Sequence, residues 1–303
     1  MVPHRSGQRP RVRRATQAAA GFGLLLLCLA GCNGSTWSVD KWPRWGWPAG
    51  VTPQAKQMLH LWQGSTVAAL VVGIFVWGLI FWCVVRYRKR SDELPPQVRY
   101  NLPIEVLYTV LPFLVISVLF FYTAVDENYV NKTTAHPDVE VSVVAFKWNW
   151  RFAYLNEKDN HNHTIATLGT SNQIPVLVLP THRSIRFIEQ SDDVIHSFWV
   201  PEFLFKRDVI PGRINTFQIS SIDRTGAFVG RCAELCGTYH SMMNFEVRAV
   251  SPGDYQKFLA ARRRGLSTPQ ALSSIGQPPY AVSTHPFNTS RTNRSPSSSE
   301  VNR

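Results

Sequence analysis

Two apolar runs constrain this chain of 303 residues more than any other feature. The first, STVAALVVGIFVWGLIFWCVV at residues 65–85, holds 21 positions without a charge. At about 1.5 Å per residue it is long enough to cross a hydrocarbon core as a helix. The second, IEVLYTVLPFLVISVLFFYTAV at residues 104–125, has one ionisable residue, Glu105, near its start. Backbone in lipid must satisfy its own polar groups, so both runs are predicted helices. RYRKR closes the first run and places the loop 86–103 on the cytoplasmic side. The chain thus enters, turns and leaves, with its N-terminal segment and everything after residue 126 outside. Glu105 has two readings: an acid solvated at the interface, or a group that takes up protons at membrane depth.

The formal charge of +12 invites a nucleic-acid reading, but its distribution argues against one. Five arginines fall in the first 14 residues, four basic residues lie between Arg86 and Arg90, and Arg262, Arg263 and Arg264 form a third cluster. From Asp126 to Gln256 there are 15 acidic residues against 12 basic ones, so the globular part is near neutral. No nucleic-acid partner is expected.

Residues 1–31 read as an export signal: a basic start, then an apolar stretch too short to span comfortably. LAGC at 29–32 resembles the bacterial lipobox, which implies cleavage before Cys32 and a lipid on its sulfur. A plain signal peptide or an uncleaved anchor are the alternatives. Cleavage would leave about +7 on the mature chain. Residues 32–64, with Trp37, Trp42, Trp45 and Trp47, are expected to be an exported linker whose aromatics lie at the membrane surface or against a partner.

Beyond residue 137 the pattern becomes that of strands. VEVSVVAFKWNWRF, IPVLVLPTHRSIRFIEQ, RINTFQISS, GAFVGRCAE and NFEVRAV are rich in β-branched and aromatic residues and separated by turn formers. Short strands at this spacing predict a sandwich or barrel over 126–265, and SPGDYQKFLAARRR predicts its terminal helix. The stretch 266–303 is rich in Ser, Thr, Pro and Asn with little apolar content, and is expected to be disordered.

GRCAELCGTYHSMM, residues 230–243, puts two cysteines, a glutamate, a histidine and two methionines into one loop. Cys28 lies in the export signal and Cys83 in a membrane run, so Cys232 and Cys236 are the cysteines left for chemistry. A disulfide is the plain reading for an exported domain, but it leaves the histidine and methionine unexplained. Zinc is poorly served by a thioether, and iron–sulfur clusters call for other spacings. Copper suits thiolate, imidazole and thioether together, and one cysteine more than a blue-copper centre needs allows two bridged ions. A second imidazole must come from elsewhere. His196, in SDDVIHSFWVP, is the best candidate because it follows a strand and precedes a turn-forming proline.

On these residues the chain resembles subunit II of the haem–copper cytochrome c oxidases over about residues 60–255. CAELCGTYHSMM matches that family's C-x-E-x-C-x-x-x-H-x-x-M pattern for a dinuclear CuA centre. The resemblance implies bridging thiolates from Cys232 and Cys236, imidazoles from His196 and His240, and a thioether from Met243 rather than Met242. It also implies a backbone carbonyl ligand from Glu234, whose side chain would face a magnesium ion shared with subunit I. AFKWNWRF resembles the family's aromatic cluster, which makes Trp148 the residue that receives electrons, although Asn149 stands where an aromatic is usual. PIEVLYTVLP likewise implies Glu105 at the entrance of a proton pathway.

The implied fold is a two-helix transmembrane hairpin followed by an all-β, cupredoxin-like Greek-key barrel. The implied function is to accept electrons from cytochrome c, or from a membrane-bound c-type haem subunit, and relay them to haem in subunit I, where oxygen is reduced to water and protons are pumped. The setting would be a bacterial plasma membrane with the barrel on its outer face. The rivals are a quinol oxidase subunit II without CuA, a membrane-anchored copper-binding module, and a nitrous oxide reductase, a CuA enzyme set aside because it is soluble with a large second domain and many more histidines. The side-chain ligands are all present, which disfavours the first; an exchangeable ion would mark the second.

Overall fold

The computed structural model describes residues 43–94 and 96–285. The expected export signal and Cys32 lie outside them. Helix α1, Pro53–Arg86, is capped by the Thr52 hydroxyl, which accepts the Ala55 N–H at 3.0 Å, with Pro53 in its first turn. Helix α2, Leu102–Val130, carries Pro112 in its interior. Both are long and apolar enough to cross a membrane, and their apolar side chains are exposed over the expected spans. That is the pattern of helices solvated by lipid or by other membrane helices rather than by a core of their own.

Helix α1 begins twelve residues before the expected span, and its early part is not a linker. Val51, Ala55 and Leu59 are buried. Gln54 exchanges hydrogen bonds with Ser220, its Nε2 donating to Oγ at 2.7 Å and its Oε1 accepting the backbone N–H at 3.2 Å. Lys56 pairs with Asp223 at 2.6 Å, and the backbone of Val51 bridges Glu202 and Asp223. Gln57 Nε2 reaches Asp126 Oδ1 on α2 at 2.7 Å. Trp47, expected at a membrane surface or partner, stacks on Trp62 of the same chain with centroids 5.0 Å apart. The linker expectation is therefore corrected for residues 43–64. Polar side chains such as Gln54 carry much of the docking, and they leave no apolar signature.

Ten strands follow: β1 Val139–Phe146, β2 Asn149–Lys158, β3 Thr164–Leu168, β4 Val176–Pro180, β5 Ile185–Ser191, β6 His196–Trp199, β7 Lys206–Val209, β8 Asn215–Ile219, β9 Gly226–Cys232 and β10 Asn244–Val250. They form two sheets, ordered β3-β2-β1-β5-β8 and β4-β10-β9-β6-β7. β1 alternates buried and half-buried positions along its length, the mark of a strand with one face on a core. Between the sheets lies an aromatic centre in which Phe198 stacks on Phe245 and Phe187 on Phe217, at 4.7 and 4.6 Å. This is the two-helix hairpin and cupredoxin-type β domain that the sequence predicts.

Helix α3, Pro252–Arg263, is the expected terminal helix, capped by Ser251. The chain does not lose order at residue 266. Helix α4, Thr268–Ser274, starts from a capping box between Ser267 and Gln270 and buries Ala271 and Leu272 completely. Beyond it, Arg248 on β10 donates to the carbonyls of Pro278 and Tyr280, each at 3.1 Å. Glu246, ion-paired with Arg248 and fully buried, accepts the Val282 and Ser283 N–H groups at 2.7 Å. The expectation of disorder from 266 is corrected as far as residue 285: buried Ala271 and Leu272 anchor the start of this segment, and a buried charged pair fastens the rest.

Candidate metal centre

Strands β9 and β10 are antiparallel neighbours, so the loop between them, 233–243, starts and ends at one place. Cys232 closes β9, and its N–H donates to the Met243 carbonyl at 3.1 Å. β6 pairs with β9 on the other side, Phe198 opposite Cys232, and the Ala233 N–H bonds the Ser197 carbonyl at 3.0 Å. This pairing sets His196, the first residue of β6, against the loop. A short 3-10 turn, His240–Met242, then brings His240 and Met243 back to the cysteines.

The donor atoms converge. Cys232 Sγ and Cys236 Sγ are 3.9 Å apart, and both are free thiols rather than the disulfide considered above. His196 Nδ1 lies 3.8 Å from Cys232 Sγ, and His240 Nδ1 lies 3.5 Å from Cys236 Sγ. Met243 Sδ is 3.8 Å from Cys236 Sγ, and the Glu234 carbonyl oxygen is 3.3 Å from Cys232 Sγ. Met243 is buried whereas Met242 is half-buried. His196, Cys232 and Cys236, all buried, form a group that could hold a metal ion, the one such group among the described residues.

Electrostatics in this pocket are unbalanced without a cation. Burial works to raise the Cys232 thiol, but contact with His196 and the Glu234 and Ser197 backbone outweighs it and pulls the thiol down. Burial pushes Cys236 up, and the neighbouring Cys232 charge pushes it further. The Cys232 thiolate therefore opposes ionisation of Cys236, and a cation beside them would favour it. Two soft thiolates, two imidazoles and a thioether fit copper by donor chemistry.

Two contacts hold this set that the sequence reading missed. Asp193 Oδ1 meets His196 Nε2 at 2.8 Å, which turns Nδ1 of the fully buried ring towards Cys232. Asp193 Oδ2 also accepts the Lys147 N–H at 2.7 Å. A carboxylate three residues before a candidate ligand histidine was the available signal. Trp150 Nε1 donates to the Met243 carbonyl at 3.2 Å and pins the end of the loop from beneath.

Trp148 lies beside the cluster, its Nε1 donating to the Cys236 carbonyl at 3.1 Å. Glu234 has an exposed side chain. Glu105 is not part of this assembly. It sits in the first turn of α2, where one carboxylate oxygen accepts the Asn101 N–H at 2.8 Å.

A two-helix membrane anchor carrying a β domain with clustered thiols, imidazoles and a thioether defines a class of membrane-bound metalloprotein. Models of the transmembrane domain and of the periplasmic domain of cytochrome c oxidase subunit II match residues 41–124 and 139–250. The chain is 45% identical to a probable cytochrome c oxidase subunit 2 of Nocardia farcinica, over 97% of this chain and 93% of that one. It is 43% identical to cytochrome c oxidase subunit 2 of Mycobacterium tuberculosis, over 94% and 92%. Among solved structures, the periplasmic domain of subunit II of the Bradyrhizobium japonicum oxidase is 28% identical with a TM-score of 0.37, over 43% of this chain and 96% of that one. The chain belongs to the cytochrome c oxidase subunit II family, and so is part of a haem–copper oxidoreductase complex.

Proposed function

We propose that this chain is the electron-accepting subunit of a proton-pumping cytochrome c oxidase, taking electrons from a c-type cytochrome outside the membrane and passing them to haem in subunit I. The observation that carries the reading is the pair of free thiols 3.9 Å apart, each with its own imidazole and one with a thioether. Cys232, Cys236, His196, His240, Met243 and the Glu234 carbonyl would hold two copper ions, which would supply a one-electron carrier. A quinol oxidase subunit without copper has no use for this donor set, and family membership sets the free-standing copper-binding module aside.

The chain's own residues do five things in this reading. Asp193 and the Met243 carbonyl contacts fix the ligands before a metal arrives, which keeps reorganisation small. Trp148 receives the electron, and its indole N–H is bonded directly to the backbone of a bridging cysteine. Glu234, whose side chain is exposed, would offer a carboxylate to a magnesium ion at the boundary with subunit I. Glu105 stands at the entrance of a proton pathway, at the end of α2 next to the basic loop. Cys32 carries lipid, and the membrane is the bacterial plasma membrane with the β domain outside.

The test is copper content and near-infrared absorption of the purified full chain. Two coppers per chain, retained against a chelator and giving a mixed-valence signal, are expected. One copper, or zinc, overturns the reading.

A further inference from the structure

The aromatic cluster that the resemblance implies has a gap at its middle position, and Asn149 is engaged elsewhere. Its Nδ2 donates to the Thr170 carbonyl at 3.1 Å and its Oδ1 accepts the Trp150 N–H at 2.9 Å. Gly169 packs so closely that a Cβ there would lie 1.9 Å from Asn149 Oδ1. Asn149 therefore ties β2 to the 169–170 turn.

A second ring nevertheless stands beside Trp148, and it comes from the metal loop itself. Tyr239 meets Trp148 edge-on, with centroids 4.8 Å apart and an interplanar angle of 89°. This is the arrangement that aromatic quadrupoles favour. Tyr239 is 47% exposed, so the pair reaches solvent. No hydrogen bond to the Tyr239 hydroxyl occurs among the described residues, so the ring carries the contact. From the same loop, the Cys236 carbonyl takes the indole N–H, and Gly237, at φ +116°, lets the backbone lie against the indole. A Cβ at 237 would come within 3.3 Å of that ring. Three positions of one loop thus grip Trp148 from the metal side.

We propose that Tyr239 is a positioning residue for electron input: it locks the Trp148 indole against the Cys236 backbone and completes a two-ring face on which a c-type haem protein docks. The proposal rests on Trp148 being the residue that receives electrons. It goes beyond that reading because it moves the second aromatic of the face from β2 to the metal loop. Docking and loop geometry then share a residue, so a donor that presses on Tyr239 presses on the backbone of Cys236 as well.

The experiment compares Tyr239→Ala, Tyr239→Phe and Trp148→Phe in the assembled oxidase with three readouts. Hydroxyl-radical footprinting by mass spectrometry reports exposure of Trp148. Steady-state oxidation of a reduced soluble mono-haem cytochrome c gives KM and kcat, with hexaammineruthenium(II) as a small reductant that needs no docking face. Near-infrared absorption reports the copper site. Tyr239→Ala is expected to raise Trp148 labelling and to lower kcat/KM for the cytochrome by about three- to tenfold, the range an aromatic edge contact controls. Ruthenium turnover and the near-infrared band stay as in the parent, and Tyr239→Phe behaves like the parent throughout. Unchanged Trp148 labelling in Tyr239→Ala overturns the proposal. So does an equal loss with both reductants, loss of the near-infrared band, or a Tyr239→Phe variant as impaired as the alanine. If Trp148→Phe alone leaves cytochrome oxidation intact, it is the reading of Trp148 that fails, and the footprint still decides whether Tyr239 holds the ring.

Discussion

Asp193 and His196 are joined through Oδ1 and Nε2 at 2.8 Å, three residues apart on the approach to β6. The bond selects which ring nitrogen faces the thiols, because a ring whose Nε2 is held by a carboxylate presents Nδ1 to its other neighbour.

The first prediction follows from that contact. Asp193→Asn keeps the shape of the side chain but loses its charge, and should weaken metal retention by about 10- to 100-fold, the usual effect of losing a partner of a ligand histidine. Competition with a graded series of copper chelators measures it. Retention equal to the parent would mean that the Asp193 carboxylate does not govern how His196 holds metal.

Cys236→Ser removes one of two thiols and leaves His196 beside Cys232. The variant should bind at most one copper per chain, lose the mixed-valence near-infrared band and stop oxidising cytochrome c, while folding as before. Metal analysis and circular dichroism on the same sample check both halves. Two retained coppers would refute a bridging role for Cys236.

A buried acid outside the metal loop gives a stability prediction. Glu189 on β5 is fully buried, and neither carboxylate oxygen has a hydrogen-bond partner. Burial raises its pKa well above the ordinary value, against the pull of Arg207 and with the push of Asp208. Below the unfolded-chain value, about 4.3, both states hold the proton. As pH climbs past that point the unfolded chain sheds its proton first, so this residue's contribution makes stability fall until the raised native value is reached. Glu189→Leu should therefore stabilise the domain by about 1–3 kcal/mol near neutrality and flatten that decline. Thermal unfolding of parent and variant across pH tests the sign.

The clip on the C-terminal segment gives the fourth. A chain stopped after Gly276 strips Glu246 and Arg248 of their bonds to residues 277–283. Partly unsatisfied buried charges are costly, and a loss of about 2–4 kcal/mol is expected. A chain stopped after residue 285 should lose none of it.

The site was more legible in the sequence than the frame that carries it. Cys232, Cys236, His240 and Met243 fall within twelve residues, and any loop between paired neighbouring strands brings such residues together. His196 was legible because its strand-end position and the following proline marked a turn. Asp193, Tyr239 and Trp150 were not, because each acts through a partner that topology alone supplies. The outer part of α1 and the segment 266–285 were misread for a shared reason. Beside a few buried apolar residues, their attachment runs through Gln54, Lys56, Glu246 and Arg248, polar groups that composition assigns to solvent. Ser267 and Gln270, a capping box three residues apart, was the one overlooked local signal for α4.

Helix α1 has 34 residues and so measures about 51 Å, against about 30 Å of hydrocarbon. The surplus stands clear of the lipid and is bolted to the β domain through Gln54, Lys56 and Val51. The metal loop is thus mounted on a rigid mast rather than slung from a tether. In the proposed role, its standoff from an acceptor in the membrane would be set at folding, and tunnelling rates, which decay steeply with separation, would be spared the blur of a swinging domain.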